Sequence, residues 1–196
     1  NVKRAIYVSF GTSVECSIFT DKTLQIPINV FSKLPYDIYW KWNNELSGLP
    51  QNIKISKWFP QSDLLRHPNI KLFITQEGLQ STDEAIAAAV LLVGLPIFWN
   101  QWFNVNKYTQ LKIGLKLDIE KITEDELKSA IETVNGDKEY LNNIMKLWSI
   151  IFDSPQSSLD RAVFWTEYVL RHGAELLRVP SANMSWIMKL KLFYTW

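Results

Sequence analysis

The sequence predicts an α/β protein built on a doubly wound parallel sheet, Rossmann-like in plan. Three observations carry this. Short strand-like runs such as AIYVSF and KLFIT are apolar almost throughout, as strands covered on both faces are. Helix-period segments alternate with them. Glycine or proline punctuates most of the changes, and strands alternating with helices of this length close into one parallel sheet with helices on both sides.

Taken in order, Ala5 to Phe10 is a strand ending at Gly11. Thr20 caps a helix that places Leu24, Ile28, Phe31 and Leu34 on one face, with Pro27 in its first turns or at a kink. Asp37 to Trp42 and Ile53 to Ile55 are strands, and Trp58-Phe59-Pro60-Gln61 is a loop because proline disfavours a helical residue before it. Ser62 to His67 is a short helix, Lys71 to Thr75 a strand, Ser81 to Val90 a helix and Leu92 to Pro96 a strand. An amide-rich loop then leads to a helix from about Phe103 to Ile113, ended by Gly114, and Leu115 to Leu117 is a strand. Thr123 and Glu126 form a capping box for a helix carrying Leu127, Ala130, Ile131 and Val134 to Gly136. Helices at Lys138 to Phe152 and Ser158 to His172 complete a domain over residues 1–172, with a tail over 173–196.

Composition narrows the function. With 196 residues, 47% hydrophobic and 21% charged, the chain suffices for one large core. Its 21 Lys and Arg balance 20 Asp and Glu, so no broad electrostatic grip on nucleic acid is expected and any anion is held locally. Cys16 is the only cysteine and there is no metal-ligand spacing, which predicts no intrachain disulfide and no metal. NVKRAIYVSFGT reads as a strand entering a turn rather than a signal peptide. NMSWIMKLKLFYTW carries Lys189 and Lys191 in an apolar run shorter than the roughly 20 residues of a membrane span.

Several loops carry candidate chemistry. After KLFIT, Gln76-Glu77-Gly78 leads into a helix whose free N–H groups and dipole suit an anion; Ser81 with Glu84 also reads as an ordinary capping box. Gly11-Thr12-Ser13 is a second turn at a strand's C-terminal end. Trp58, before Phe59-Pro60, is placed to offer an indole face to a flat ring, although core packing is the common fate of a Trp. Asn100-Gln101 offers amides to sugar hydroxyls. Asp63 and Glu84 have no acid-base spacing, and His67 before Pro68 reads as a helix-end residue.

WFPQSDLLRHPNIKLFITQEGLQSTDEAI resembles the nucleotide-sugar signature of the UDP-glycosyltransferases, and the likeness continues through VGLPIFWNQWFNVNKY. SFGT, SLDRAVFWTEYVLRHGA and SANMSW resemble the same family, its insect members most. The resemblance implies the C-terminal, donor-binding half of a two-domain GT-B enzyme of detoxification. Its partners would be a UDP-sugar and either the N-terminal half or a second copy. UDP-glucose would be a co-substrate, with no further cofactor, and inverting transfer would go to a hydroxyl of a small lipophilic acceptor. By resemblance, Trp58 stacks on uracil, the Phe59 backbone reads the ring edge, and Gln61 and Glu84 meet the ribose. Thr12, Gly78, Gln80 and Ser81 surround the diphosphate, Asn100 and Gln101 meet the hexose, and Gln76 counts among the nucleotide-sugar-binding residues. The catalytic base belongs to the N-terminal half, and the family resides on the lumenal side of the endoplasmic reticulum membrane. The competing reading is a diverged, non-catalytic domain kept for binding or assembly.

Departures from the pattern sharpen the expectations. Glu77 stands where the family has glycine, which predicts a carboxylate beside the phosphates and weakened diphosphate affinity. Asn100 replaces an acidic residue and Trp99 a small one, which predicts a more crowded hexose end. Ala89-Val90-Leu91 replaces Gly-Val-Pro and predicts a longer helix before the next strand.

Overall fold

A computed structural model describes residues 4–12, 14 and 18–185. Ser13, Cys16 and the tail from residue 186 onward lie outside them. Two compact units divide between Phe152 and Asp153.

The first unit holds β1 (Ala5–Ser9), α1 (Asp21–Ser32), β2 (Asp37–Lys41), β3 (Ile53–Ser56), α2 (Gln61–Leu65), β4 (Ile70–Thr75), α3 (Leu79–Ala87), β5 (Leu91–Gly94), α4 (Trp99–Gln110), β6 (Gly114–Lys116), α5 (Glu124–Gly136) and α6 (Lys138–Phe152). The six strands pair in the order β3-β2-β1-β4-β5-β6, every pair parallel. Ile6 pairs with Ile38 on one side and Leu72 on the other, so β1 is central. Its residues are all buried, as are Leu72, Phe73, Ile74, Leu92 and Val93, which accounts for the unbroken apolar runs.

Helix ends follow local chemistry. The Thr123 side chain accepts from the Glu126 N–H, and the Glu126 carboxylate accepts from the Thr123 N–H, so the capping box forms as its spacing predicts. Thr20 caps α1 as expected, while Pro27 sits in the interior of that helix, beyond its first turn.

Several boundaries differ from the sequence expectation: Gln61 opens α2, which ends at Leu65, instead of closing a loop before a helix over Ser62 to His67, and three further differences bear on the site. α3 begins at Leu79 with Gly78 as its cap, so Ser81 and Glu84 lie inside the helix and form no capping box. α4 begins at Trp99, so Asn100 and Gln101 belong to its first turn instead of a loop. α3 ends at Ala87, and Ala89 takes the left-handed conformation (φ 52°), turning the chain without a glycine into β5 at Leu91; the helix is not lengthened.

The second unit contains α7 (Ser158–His172), capped by Ser157, whose hydroxyl accepts from the Asp160 N–H. Phe164, Trp165, Tyr168 and His172 form a chain of ring contacts along it. Gly173, with φ 76°, ends the helix. Among the described residues no helix is long and apolar enough to cross a membrane.

Close packing at Gly94 ties the sheet to α4. A Cβ there would stand 2.5 Å from the Val105 side chain and 2.6 Å from Glu77 Cγ. Gly94→Ala is therefore expected to cost about 1–3 kcal/mol, the usual range for overpacking. Urea denaturation measures it, and an unchanged midpoint would show that the neighbours yield freely.

Candidate functional site

In a sheet of this order, β1 leads one way to β2 while β4 begins the other flank. The loops after β1 and β4 therefore part at the carboxyl ends of these strands, and a crevice opens between them. A cleft of about 650 Å³ lies there, lined by Tyr7, Gly11, Thr12, Lys41, the segment Trp58 to Asp63, and Gln80, Ser81, Asp83 and Glu84. Seven of the eleven residues that the resemblance assigns to the nucleotide sugar share it: Thr12, Trp58, Phe59, Gln61, Gln80, Ser81 and Glu84.

Trp58 is 68% exposed, whereas Trp40 and Trp42 are buried in the core. Its position is held by the backbone: the Ser56 hydroxyl lies 2.9 Å from the Trp58 carbonyl oxygen, to which it donates. Phe59 turns inward, edge-on to Tyr7 and Tyr39 at 5.9 and 6.1 Å, and anchors the loop. The Lys41 ammonium lies 5.0 Å from the centre of the Trp58 ring and donates to the Gly11 carbonyl at 2.9 Å. Partial burial lowers its pKa.

Gln61, the first residue of α2, organises the wall. Its Oε1 accepts from the Tyr7 hydroxyl at 3.3 Å, and its Nε2 donates to Ser81 Oγ at 3.1 Å and to Glu84 Oε2 at 2.6 Å. Because α3 starts earlier than predicted, Ser81 and Glu84 sit one turn in and face this amide. Burial raises the pKa of the Tyr7 phenol, keeping it a neutral donor.

The α3 terminus itself has no side-chain cap. Its first N–H groups are unsatisfied within the helix, which leaves them for an anion. Gln76 lies beneath, 7% exposed: a Cβ on Gly11 would collide with its amide, and its Oε1 has no hydrogen-bond partner. Gln76 and Gly78 thus back the cleft and do not line it.

Glu77 differs from expectation. It adopts φ 68°, the conformation a glycine takes freely, and its side chain is fully buried against Gly94, away from the cleft. Burial pushes its pKa up to about 8, a hydrogen bond with Thr82 opposing. Thr82 Oγ1 lies 3.3 Å from Glu77 Oε2 and 3.1 Å from the Gly78 carbonyl oxygen. The Thr82 hydroxyl can donate to either oxygen, and Glu77 Oε1 has no hydrogen-bond partner, in keeping with a buried carboxyl whose neutral form is favoured. The Glu77 side chain is turned to Gly94 and is not among the residues that line the cleft.

Toward β5 the picture is more restricted. Gln101 is 3% exposed, and its Oε1 accepts from the Ile97 and Phe98 N–H groups at 2.7 and 2.8 Å, capping its own helix. Asn100 stands beside it in the first turn of α4. His67 is a helix-end residue as expected, its Nδ1 accepting from the Asn69 N–H. Among the described residues no group of three or more His, Cys, Asp or Glu could hold a metal ion.

Tyr7 and Lys41 escaped the sequence reading. Lys41 follows buried Trp40 and ends β2, so strand alternation and its terminal position were the available signal. Tyr7 lies in a strand buried throughout, where no alternation marks the face turned to the cleft.

Fold and site together define a doubly wound domain with an aromatic plate, a hydrogen-bonded amide and carboxylate, and an open helix terminus at the topological switch point. The model of the UDP-glucoronosyl and UDP-glucosyl transferase family matches residues 3–192, and the chain belongs to that family. UDP-glucosyltransferase 2 of Dactylopius coccus is 37% identical over 95% of this chain and 36% of its own length. The ecdysteroid UDP-glucosyltransferase of Lymantria dispar multicapsid nuclear polyhedrosis virus is 36% identical over 92% and 36%. Human UDP-glucuronosyltransferase 2B10 is 36% identical over 92% and 34%. The chain thus spans about a third of the curated relatives it matches. Among solved glycosyltransferases, spinosyn forosaminyltransferase SpnP superposes with a TM-score of 0.75 at 18% identity, covering 86% of this chain and 44% of that one. A variant of Os79 from O. sativa, solved in complex with UDP, gives 0.72 at 24%, covering 85% and 41%. These structures establish the fold as the Rossmann-like half of a GT-B glycosyltransferase.

The buried carboxyl predicts a pH signature. Folded Glu77 titrates at about 8, whereas an unfolded glutamate titrates at about 4.3. Between these values the native state binds more protons than the unfolded state, so the stability present below the unfolded pKa is lost as pH rises through the folded one. Glu77→Gln keeps the shape without the titration. The melting temperature of the native chain should therefore fall relative to that of the variant as pH rises across this interval, and a constant difference would show the carboxyl to be solvated.

Proposed function

We propose that this chain is the C-terminal, donor-binding half of a UDP-glycosyltransferase. It holds a UDP-hexose, UDP-glucose foremost, for inverting transfer to a hydroxyl of a small lipophilic acceptor. The observation that carries this reading is the convergence of exposed Trp58, the Gln61–Ser81–Glu84 hydrogen-bonded group and the uncapped start of α3 on one cleft.

Each part suits one part of the donor. Trp58 offers a flat face to uracil while the Phe59 backbone reads its edge. Glu84, oriented by Gln61, accepts from the ribose hydroxyls, and its charge lies at the end of the cleft where acceptors are needed. Thr12 and the first amides of α3, with Gln80 and Ser81, receive the diphosphate. Gln76 and Gly78 shape that turn from behind, and Lys41 supplies the nearby positive charge. Asn100 and Gln101 lie toward the hexose, with Gln101 acting through the backbone it caps.

In the transfer, an acceptor oxygen bonds to the anomeric carbon as the bond from that carbon to the diphosphate breaks, and UDP leaves with the electron pair. Negative charge grows on the departing phosphate, where preorganised backbone donors at a helix start stabilise it. The base that takes the acceptor proton and the pocket for the acceptor are assigned to an N-terminal half. That half lies on the same polypeptide or is supplied by another chain, or a second copy of this domain completes the site. The relatives' names favour glucose among hexoses, and family membership suggests the lumenal side of the endoplasmic reticulum membrane for the whole protein.

Stacking on an aromatic side chain is worth about 1–3 kcal/mol per base. Trp58→Ala should weaken UDP binding by about tenfold or more in calorimetric titration. An unchanged affinity would remove the indole from the site.

A further inference from the structure

Three elements grip the turn that carries the uncapped start of α3. The Glu77 N–H donates to Thr75 Oγ1 at 3.3 Å from the end of β4, and the Glu77 carboxyl meets Thr82 inside α3. The third grip comes from α4, where Asn104 Nδ2 donates to the Glu77 carbonyl at 3.0 Å. Asn104 does not line the cleft. Its neighbour Val105 is packed against Gly94 at 1% exposure, so the amide projects from a fixed position.

The grip is needed because Glu77 is a non-glycine residue at φ 68°, a strained conformation that persists only where surrounding structure holds it. It also has a directional consequence. In a trans peptide the C=O and the following N–H point in opposite directions. Drawing the Glu77 carbonyl toward α4 therefore turns the N–H of Gly78, the cap residue of the helix whose first amides are uncapped, away from α4. Gln76, more than nine-tenths buried and with an unpartnered Oε1, packs against the Gly11 turn on the same stretch of chain.

We infer that Asn104 is a positioning residue for the phosphate end of the site: by holding the Glu77–Gly78 peptide it aims backbone donors at the diphosphate. The inference rests on the donor-binding reading above. Asn104 touches no part of the base or ribose end, which is built by Trp58, Gln61 and Glu84 on other elements. Its loss should therefore separate the two ends of the ligand, which a general loss of fold would not do.

The test is titration of the native chain, Asn104→Ala and Asn104→Asp with UDP and with uridine, the latter by displacement. Asn104→Asp keeps the shape but replaces the donor with an acceptor that repels the carbonyl, and it guards against an alanine variant that fails to fold. Melting curves confirm that each variant is folded. UDP affinity should fall by about tenfold in both variants while uridine affinity stays within about twofold, because one oriented donor set is lost and the nucleoside contacts remain. An equal UDP-to-uridine affinity ratio in the native chain and the folded variants would overturn the role. If the native chain binds neither ligand, the donor-binding reading fails and takes this inference with it. If it binds both and only the variants' ratio refuses to change, the donor reading stands and Asn104 is structural.

Discussion

The site depends on the parting of two chain directions at β1. Parallel strands place every loop that follows a strand at one edge of the sheet, and the switch of winding between β1 and β4 keeps those loops from closing over it. Gly11 and Thr12 come to the opening from one side, and the Gln76–Gly78 turn with α3 comes from the other. Trp58 and Gln61 enter from β3 and α2 farther along the same edge. A ligand long enough to touch all of them has to be extended, which suits the nucleotide sugar proposed above.

Charge is arranged along that length. Asp63, Asp83 and Glu84 line the cleft, and only Lys41 among its lining residues is cationic. Such a wall would repel a diphosphate laid evenly across it. Gln61 donates to Glu84 in the acceptor-rich part, while the Lys41 ammonium lies between the Gly11 carbonyl and the Trp58 ring. Glu77 is fully buried, its pKa raised to about 8 by that burial, and its carboxyl is not among those that line the cleft. The backbone at Glu77 takes a conformation that glycine adopts freely, and the side chain is stowed against Gly94.

Much of this was legible in the sequence, for identifiable reasons. Strand and helix alternation reported the layered fold, and Thr20 and Thr123 marked helix starts because their hydroxyls have a single nearby use. The Ser81–Glu84 pair misled because a capping box and two inward-facing residues one turn into a helix share the same spacing; Gly78 settles the start by its backbone conformation alone. The direction of Glu77 was hidden because it depends on space at Gly94 and on Thr82, which only tertiary packing brings together. Lys41 and Asn104 were hidden for the same reason, since each acts on a loop far away in the chain.

The central claim is that this cleft recognises a uridine diphosphate as a unit. The most direct measurement is calorimetric titration of the folded chain with UDP, UDP-glucose and ADP. The account predicts saturable binding of both uridine nucleotides and markedly weaker binding of ADP, because the ring edge read at Phe59 and the stack on Trp58 suit the smaller base. Absence of heat with all three, from a chain shown to be folded, would contradict it and favour a domain kept for binding or assembly without its nucleotide.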